Sequence, residues 1–270
     1  MIEYPYPKTV NLLPRDPDTH GLVAGYRDPI HAQVGRWLAT EKVDGTNVRV
    51  CLEWEVGWGW GDARFVVEGT DVTFCPVITV RGRTDAAPLP GHRPGKDPGP
   101  GSIAEWAGTD DPRNGMLALW RSLGLDTLEY PVDVVAFGEG YGPGIKKAGA
   151  GYRREGHALR LFDVVTLREG RPPLWRPWSD VELAARCLGV RTVPAFGPMT
   201  AQEIVGAVQR GFRSIVATED GNDPRYAPPG EGVVARTDPY LYVWDGRPVR
   251  WKLKTRDLEP GVEYLSEHKY

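Results

Sequence analysis

Cysteine is scarce in this chain and follows no recognisable pattern. The 270 residues include three cysteines, an odd number without C-x-x-C spacing: Cys51, Cys75 and Cys187. This argues against a disulfide framework or a zinc site and favours a reducing compartment. Long apolar runs are also missing, since no stretch approaches the roughly 20 residues of a membrane-spanning helix, and the N-terminus has no signal-like pattern. We therefore expect a cytoplasmic protein with no membrane partner.

An excess of positive charge is missing as well. The chain has 33 Lys and Arg against 36 Asp and Glu, which gives a net charge of -3. Nucleic-acid-binding domains usually carry a basic surface, so any polynucleotide contact must be local. One basic group could follow a phosphate backbone, although such clusters are more often solvated faces: Lys146, Lys147, Arg153, Arg154 and Arg160.

The hydrophobic pattern predicts a globular α+β fold built on an antiparallel sheet. Apolar residues make up 41% of the chain, with 10 Trp and 11 Tyr, which is ample for a core. Short segments rich in Val, Thr and aromatic residues are typical of strands; they span residues 37–41, 47–54, 64–68 and 72–80. Capping boxes predict helices over 180–188 and 201–210, and a third helix is expected near 115–123.

Glycine and proline mark the turns and one long loop. Asp245-Gly246 predicts a hairpin that joins 240–244 to 249–254. Residues 86–101 contain five prolines and four glycines, which predicts a flexible loop. No boundary divides the chain convincingly. We expect a single domain over 1–270, with a core of about 36–255 and a short tail over 255–270.

Lys42 stands in the run Glu41-Lys42-Val43-Asp44-Gly45-Thr46-Asn47, between two extended segments. An ordinary lysine has a pKa of about 10.4, so holding it neutral near pH 7 costs about 4 to 5 kcal/mol and requires a built pocket. The run alone is weak evidence, because a lysine beside an Asp-Gly turn is usually a solvated charge.

Five further motifs follow Lys42 in a fixed order. They are Arg81-Gly82-Arg83-Thr84, Phe137-Gly138-Glu139, Leu161-Phe162-Asp163, Glu231 to Arg236, and Trp251 to Lys254. Together they resemble the covalent nucleotidyltransferases, which include polynucleotide ligases and mRNA capping enzymes. Thr46-Asn47 and the stretch FGEGYGPGIKK are more similar to the RNA ligase 2 branch. The resemblance implies an ATP-grasp-like ligase core: an antiparallel-sheet nucleotidyltransferase fold with flanking helices.

The resemblance also implies residue roles. Lys42 would be the nucleophile that forms a lysyl-AMP intermediate, and Lys252 and Lys254 would contact the α-phosphate from one strand face. Glu231 and Glu139 would hold a divalent metal through water. The implied nucleotide-binding set is Glu41, Asp44, Gly45, Thr46, Asn47, Arg83, Glu139, Phe162, Glu231, Arg236, Lys252 and Lys254. Within it, Phe162 would stack on the base and Glu139 would accept a ribose hydroxyl.

Several positions depart from the family or leave alternatives open. Asp44 stands where some relatives have histidine, so a role of that histidine does not transfer. Arg236 replaces a common lysine, and these two cations are not interchangeable. Arg81 competes with Arg83 for the arginine near the ribose and the incoming phosphate. We expect Gly45 to adopt a positive φ in the turn.

The implied reaction uses ATP with Mg2+ or Mn2+, and joins RNA 5′-phosphate and 3′-hydroxyl ends. Only 16 residues follow Lys254, too few for the C-terminal OB-fold of many relatives, so we expect none and a possible partner protein in its place. Pre-adenylylated RNA should then be the better substrate. Alternatives are transfer to DNA, a capped end or a small phosphorylated molecule, and a non-catalytic module that binds nucleotide or RNA ends.

Overall fold

The structure is a computed structural model that describes residues 4–57, 64–67, 70–83, 112–146 and 149–265. The predicted loop over 86–101 lies outside the described residues. Within them the strands are β1 (Val10–Asn11), β2 (Trp37–Glu41), β3 (Thr46–Val56), β4 (Phe65–Val66), β5 (Thr73–Arg81), β6 (Asp133–Tyr141), β7 (Ala158–Leu167), β8 (Leu174–Trp175), β9 (Arg191–Thr192), β10 (Ala195–Met199), β11 (Gly232–Arg236) and β12 (Arg250–Lys254).

The helices are shorter and fewer than the strands. They are α1 (Pro112–Ser122), α2 (Gly149–Tyr152), α3 (Trp178–Cys187), α4 (Ala201–Arg210) and α5 (Ile215–Glu219), with 3-10 helices over Pro29–Gln33, Leu125–Thr127 and Thr255–Asp257. In the part of the chain that the structure describes, no helix combines the length and apolarity needed to cross a membrane.

The chain divides into two compact units, each with its own sheet. The five-stranded unit comprises Pro7–Asp44, Ala148–Arg154 and Val193–Tyr270. The seven-stranded unit comprises Met1–Tyr6, Gly45–Lys147 and Glu155–Thr192. The expectation of a single domain stays a prediction, because two compact units can belong to one domain.

The five-stranded unit has the strand order β1-β12-β11-β2-β10. Its pairs are antiparallel except for β1 with β12. Helix α4 packs on this sheet because Ile204, Val205 and Val208 recur at helical spacing and are buried. Burial of each such side chain contributes about 1.5 to 3 kcal/mol. These residues share one apolar core with Trp37 and Trp251.

The seven-stranded unit has the order β4-β5-β3-β6-β7-β8, with β9 added in parallel to β7. The long strands β3, β5, β6 and β7 pair antiparallel. Helix α3 packs against β7, and α1 packs against α3. An aromatic cluster that includes Tyr6, Phe137 and Trp175 fills one part of this unit. The predicted α+β class with an antiparallel sheet is therefore confirmed.

Two local predictions are confirmed to the residue. Strand β2 spans the predicted 37–41, and α4 spans the predicted 201–210. The capping box of α4 is also present. The Thr200 hydroxyl accepts from the Glu203 N–H at 3.1 Å, and the Glu203 carboxylate accepts from the Thr200 N–H at 2.7 Å.

Two other local predictions are only partly right. The helix predicted over 180–188 is present, but Ser179 does not cap it, because α3 begins at Trp178 and Pro177 is its N-cap residue. The hairpin turn at Asp245-Gly246 is confirmed, since the Val243 N–H donates to the Arg247 carbonyl oxygen at 2.9 Å and the Val249 N–H donates to the Leu241 carbonyl oxygen at 2.8 Å. Residues 240–244 nevertheless form no strand, and an isolated bridge joins Tyr242 to Pro248. Pro248 has no N–H for a ladder. Strand β12 pairs instead with β11.

Candidate active site

The Lys42 side chain is brought to Glu231 by the pairing of two strands in the five-stranded unit. Lys42 follows β2, and its backbone N–H donates to the carbonyl oxygen of Gly232 at 2.9 Å. Because β2 and β11 run antiparallel, with Glu41 opposite Val233, Lys42 lies opposite Gly232, the first residue of β11, and Glu231 precedes it. The Lys42 ammonium forms an ion pair with the Glu231 carboxylate.

Glu231 binds a second lysine. The Lys254 Nζ lies 2.7 Å from Glu231 Oε1, and the Glu231 side chain is 13% exposed. Burial alone would raise the pKa of Glu231, but the charge of Lys42 and hydrogen bonds from Lys254 and Lys42 outweigh it, so the pKa is lowered. Glu231 is therefore ionised at neutral pH.

Lys252 adds a third cation to this group. It precedes Lys254 by two residues on β12, which sends both side chains to the same face. Burial lowers the pKa of Lys252, and the charges of Lys42, Lys254 and Lys8 lower it further, against an opposing effect of Glu231. Two lysines thus pair with the Glu231 carboxylate, and Lys252 shares the strand face of one of them. We call Lys42, Glu231, Lys252 and Lys254 the lysine cluster; its excess of positive charge suits an anionic ligand such as a phosphate.

Glu41, which precedes Lys42, has a structural set of contacts. It is 1% exposed, and its carboxylate accepts from the Ser214 hydroxyl at 2.6 Å and from the N–H groups of Ile215 and Val216 at 2.9 and 3.1 Å. Glu41 therefore caps the start of α5. These contacts fix the end of β2 and thereby the position of Lys42.

Gly45 and Glu139 meet in the seven-stranded unit. The Glu139 carboxylate accepts from the Gly45 N–H at 3.0 Å. The expected positive φ at Gly45 is wrong, because Gly45 is not among the glycines with that conformation. A Cβ at this position would instead overlap the carbonyl oxygen of Gly140. Glycine is required here by a close backbone approach.

The predicted polar residues Thr46 and Asn47 begin β3 beside Glu139. Across the β3–β6 ladder, Thr46 pairs with Gly140 and Asn47 pairs with Glu139. The side-chain oxygen of Asn47 is buried and accepts no hydrogen bond within the described part of the chain. A buried acceptor without a donor is costly, so this oxygen is suited to a donor from a ligand or water.

Phe162 lies at an irregularity of the sheet. Between β6 and β7 the pairing shifts, since Phe137 is opposite Asp163 and Gly138 is opposite Leu161. Phe162 is the extra residue of this β-bulge. Bulges often redirect a side chain next to active sites. The Phe162 ring is partly exposed and meets the ring of Tyr6 edge-on at 5.0 Å.

The two candidate arginines differ in their surroundings. The Arg81 guanidinium forms an ion pair with Glu53 at 2.6 Å, with side-chain exposures of 13% and 4%. Arg83 follows the end of β5 and is exposed. The accessible Arg83 is better placed to meet a ligand than Arg81, which is already engaged with a buried carboxylate.

The comparison with protein families agrees with this set of side chains. Residues 35–254 match a family model described as RNA ligase. The chain belongs to the RNA ligase family. Solved structures similar to this family member are a point mutant of Naegleria gruberi RNA ligase with ATP and Mn (15% identity, TM-score 0.53, 94% of this chain and 58% of that chain) and the same organism's RNA ligase with PPi (16%, 0.50, 90% and 61%).

At this identity the structural likeness shows the fold alone. This RNA ligase family member spans about three fifths of the chains that it matches. A search of curated proteins found no significant match.

Two arginines of this RNA ligase family member, each predicted to contact a ligand, lie away from the lysine cluster or are buried. Arg236 is at the far end of β11, opposite Leu38, and five residues of strand place it roughly 16 Å from Glu231. Its guanidinium packs over the Tyr240 ring at 4.6 Å. Arg160 is 1% exposed and donates to the Tyr141 hydroxyl at 3.0 Å. Arg160 therefore cannot line an accessible phosphate track.

The remaining basic candidates lie near the chain surface where they are described. Lys146 and Arg154 are exposed, and Arg153 is paired with Asp220 at 3.5 Å. Lys147 lies outside the described residues. The prediction that these residues contact RNA stays a prediction.

Sequence reasoning missed Tyr152. It is 2% exposed and its phenol oxygen accepts from the Asp44 N–H at 3.2 Å. No motif identified it, because its only sequence signal is a position twelve residues after the FGEG stretch. This contact fixes the backbone of Asp44, two residues after Lys42.

Proposed function

We propose that Lys42 is the nucleophile of an ATP-dependent adenylylation, the first step of RNA end joining. The pairing of Lys42 and Lys254 with Glu231, with Lys252 two residues before Lys254 on β12, carries this proposal. Membership of the RNA ligase family supports it. The family match favours RNA over the alternative acceptors, which are DNA, capped ends and small phosphorylated molecules.

In the proposed step, the neutral Lys42 Nζ attacks the α-phosphorus of ATP. A P–N bond forms, the P–O bond to pyrophosphate breaks, and the amine loses a proton. Lys42 must therefore leave its ion pair with Glu231 before it reacts. Lys252 and Lys254 lie on one face of β12 and would stabilise the charge that grows on the phosphoryl oxygens.

The nucleoside would be held by the residues of the seven-stranded unit. Phe162, set apart by its bulge, would stack on adenine, which is worth about 1 to 3 kcal/mol per base. Glu139 would accept a ribose hydroxyl, while Thr46, Asn47 and Arg83 would contact the sugar and phosphates. AMP would then pass to an RNA 5′-phosphate, and a 3′-hydroxyl would displace it.

Glu231 and Glu139 are the proposed carboxylates for a hydrated divalent cation. Among the described residues no group of three or more His, Cys, Asp or Glu side chains is gathered as in an all-protein metal cage. Mg2+ usually keeps several waters and binds through one or two carboxylates, so Glu231 and Glu139 would hold it through water. When bound, Mg2+ or Mn2+ would offset negative charge on the triphosphate. The Naegleria gruberi enzyme with ATP and Mn supports this choice.

Self-adenylylation tests the proposal. The protein is incubated with α-labelled ATP and Mg2+ and separated under denaturing conditions. We expect stable label on the wild type and none on Lys42→Ala or Lys42→Arg, since arginine keeps the charge but offers no neutral amine. Lys254→Arg is the matched control and should keep part of the signal, because its proposed role is electrostatic. Equal labelling of wild type and Lys42→Arg would remove Lys42 from the mechanism.

The acceptor needs a separate assay. RNA and DNA strands with 5′-phosphate ends, each also supplied pre-adenylylated, are offered with matched 3′-hydroxyl ends. We expect joining of RNA, with the pre-adenylylated strand joined faster. If DNA were joined in preference to RNA, the acceptor would be DNA. If GTP labelled the protein instead of ATP, a capping-type reaction would be favoured.

A further inference from the structure

Tyr152 contacts the loop that carries Lys42, within the five-stranded unit. Its phenol oxygen accepts the Asp44 N–H at 3.2 Å, two residues after Lys42. Burial raises the pKa of Tyr152; the Asp44 hydrogen bond opposes this, and the charges of Glu41, Glu231 and Asp44 raise it further. Tyr152 is therefore neutral at physiological pH and can accept the amide hydrogen without bringing a charge.

The backbone of Tyr152 is fixed to a second helix. The Asn222 side-chain amide donates to the carbonyl oxygens of Tyr152 at 2.9 Å and Ala217 at 3.0 Å. Tyr152 is the last residue of α2, and Ala217 lies in α5. Asn222 thus ties α2 to α5.

The same helix α5 also holds the residue before Lys42. Its first N–H groups and the Ser214 hydroxyl donate to the Glu41 carboxylate. The chain is therefore anchored at Glu41, through α5, and at Asp44, through Tyr152. Lys42 lies between two anchors that are joined to each other through Asn222.

We propose that Tyr152 is a positioning residue that holds the Lys42 loop for attack on the nucleotide. This inference rests on the proposed function of Lys42. Attack requires the reacting atoms to be held about 3 to 3.5 Å apart, and a displacement of about 1 Å can cost about 100-fold in rate. Loss of the phenol oxygen would leave the Asp44 N–H without its acceptor and free the loop on that side.

Tyr152→Phe is compared with Tyr264→Phe. The Tyr264 phenol oxygen also accepts one backbone N–H, from Glu259 at 3.0 Å, and Tyr264 is 3% exposed in the same unit. Both substitutions remove one buried phenol oxygen, so similar losses of stability are expected. In single-turnover adenylylation at saturating ATP, we expect Tyr152→Phe to be about 10- to 100-fold slower, with half-saturation within about twofold. Tyr264→Phe should keep the wild-type rate.

A second readout does not depend on ATP chemistry. Trinitrobenzenesulfonate modifies exposed amines, and the modified lysines are identified by peptide mass spectrometry. We expect Lys42 to be modified faster in Tyr152→Phe than in wild type, with Lys252 and Lys254 unchanged.

Equal adenylylation rates for Tyr152→Phe and Tyr264→Phe would overturn the positioning role. The role would also be overturned if Tyr152→Phe left the modification of Lys42 unchanged, or if it speeded the modification of Lys42, Lys252 and Lys254 alike. Failure of the wild type to label would overturn the proposed function instead, and the modification pattern would still decide whether Tyr152 holds the loop.

Discussion

Replacing Gly45 with alanine should destabilise the seven-stranded unit through one steric contact. A Cβ at Gly45 would overlap the Gly140 carbonyl oxygen and lie 2.9 Å from Glu139 Cγ. The Gly140 carbonyl belongs to the β3–β6 ladder, so moving it would distort the backbone hydrogen bonds of the sheet. Overpacking of this kind costs about 1 to 3 kcal/mol, and a shift that breaks the charged hydrogen bond from Gly45 to Glu139 adds about 1.5 to 3 kcal/mol. We expect a loss of about 3 kcal/mol or more.

Urea unfolding of matched variants measures this loss. Gly57→Ala is the control, because nothing lies within 4 Å of a Cβ at Gly57, and it should change stability by less than about 0.5 kcal/mol. Gly45→Asn separates the two explanations for glycine. Asparagine tolerates a positive φ, so a turn requirement would make it milder than alanine. The close backbone approach predicts that Gly45→Asn loses at least as much stability as Gly45→Ala. A smaller loss for Gly45→Asn would refute the steric reasoning.

Three charged groups give further predictions, each read from thermal unfolding across pH. The pKa of Glu231 is lower in the folded protein than its unfolded value of about 4.3, so Glu231 stabilises the fold above that pH and this stabilisation is lost on acidification. Glu231→Gln should therefore reduce the fall in stability below about pH 5. An unchanged fall contradicts this. Lys252→Met should raise stability at pH 7 while abolishing adenylylation, because burial and the neighbouring lysines lower the pKa of Lys252 and so disfavour its protonated amine in the fold; a loss of stability contradicts this. Burial raises the pKa of Asp133 to about 6. The charge of Glu53 adds to this effect, and the hydrogen bond from the Trp54 N–H opposes it. Because the folded value exceeds the unfolded one, stability falls as pH rises between about 4 and 6. Asp133→Asn should remove that fall, and an unchanged profile would refute it.

Local sequence patterns predicted the elements whose signals are local. Strand β2 and helix α4 were placed correctly because strand-type composition and a capping box act over a few residues. Family resemblance, and no spacing in the chain, assigned Lys42, Glu231 and Lys254 to one nucleotide site, but it did not predict that both lysines pair with Glu231.

Contacts between distant segments were less visible. The need for glycine at Gly45 comes from Gly140, 95 positions further along the chain, so the local turn suggested the wrong reason. The contact of Tyr152 with Asp44 likewise depends on how α2 packs. Arg236 lies away from the lysine cluster because the five residues after Glu231 form one extended strand, β11, which puts Arg236 at its far end.

The most direct test of the central claim is to locate the adenylyl group. The protein is incubated with ATP and Mg2+, digested, and its peptides are sequenced by mass spectrometry at neutral to alkaline pH, where a P–N bond is stable. We predict one adenylyl group on the Lys42 side chain, lost after mild acid treatment. An adenylyl group on any other residue, or none on a folded protein supplied with ATP and metal, would contradict the account.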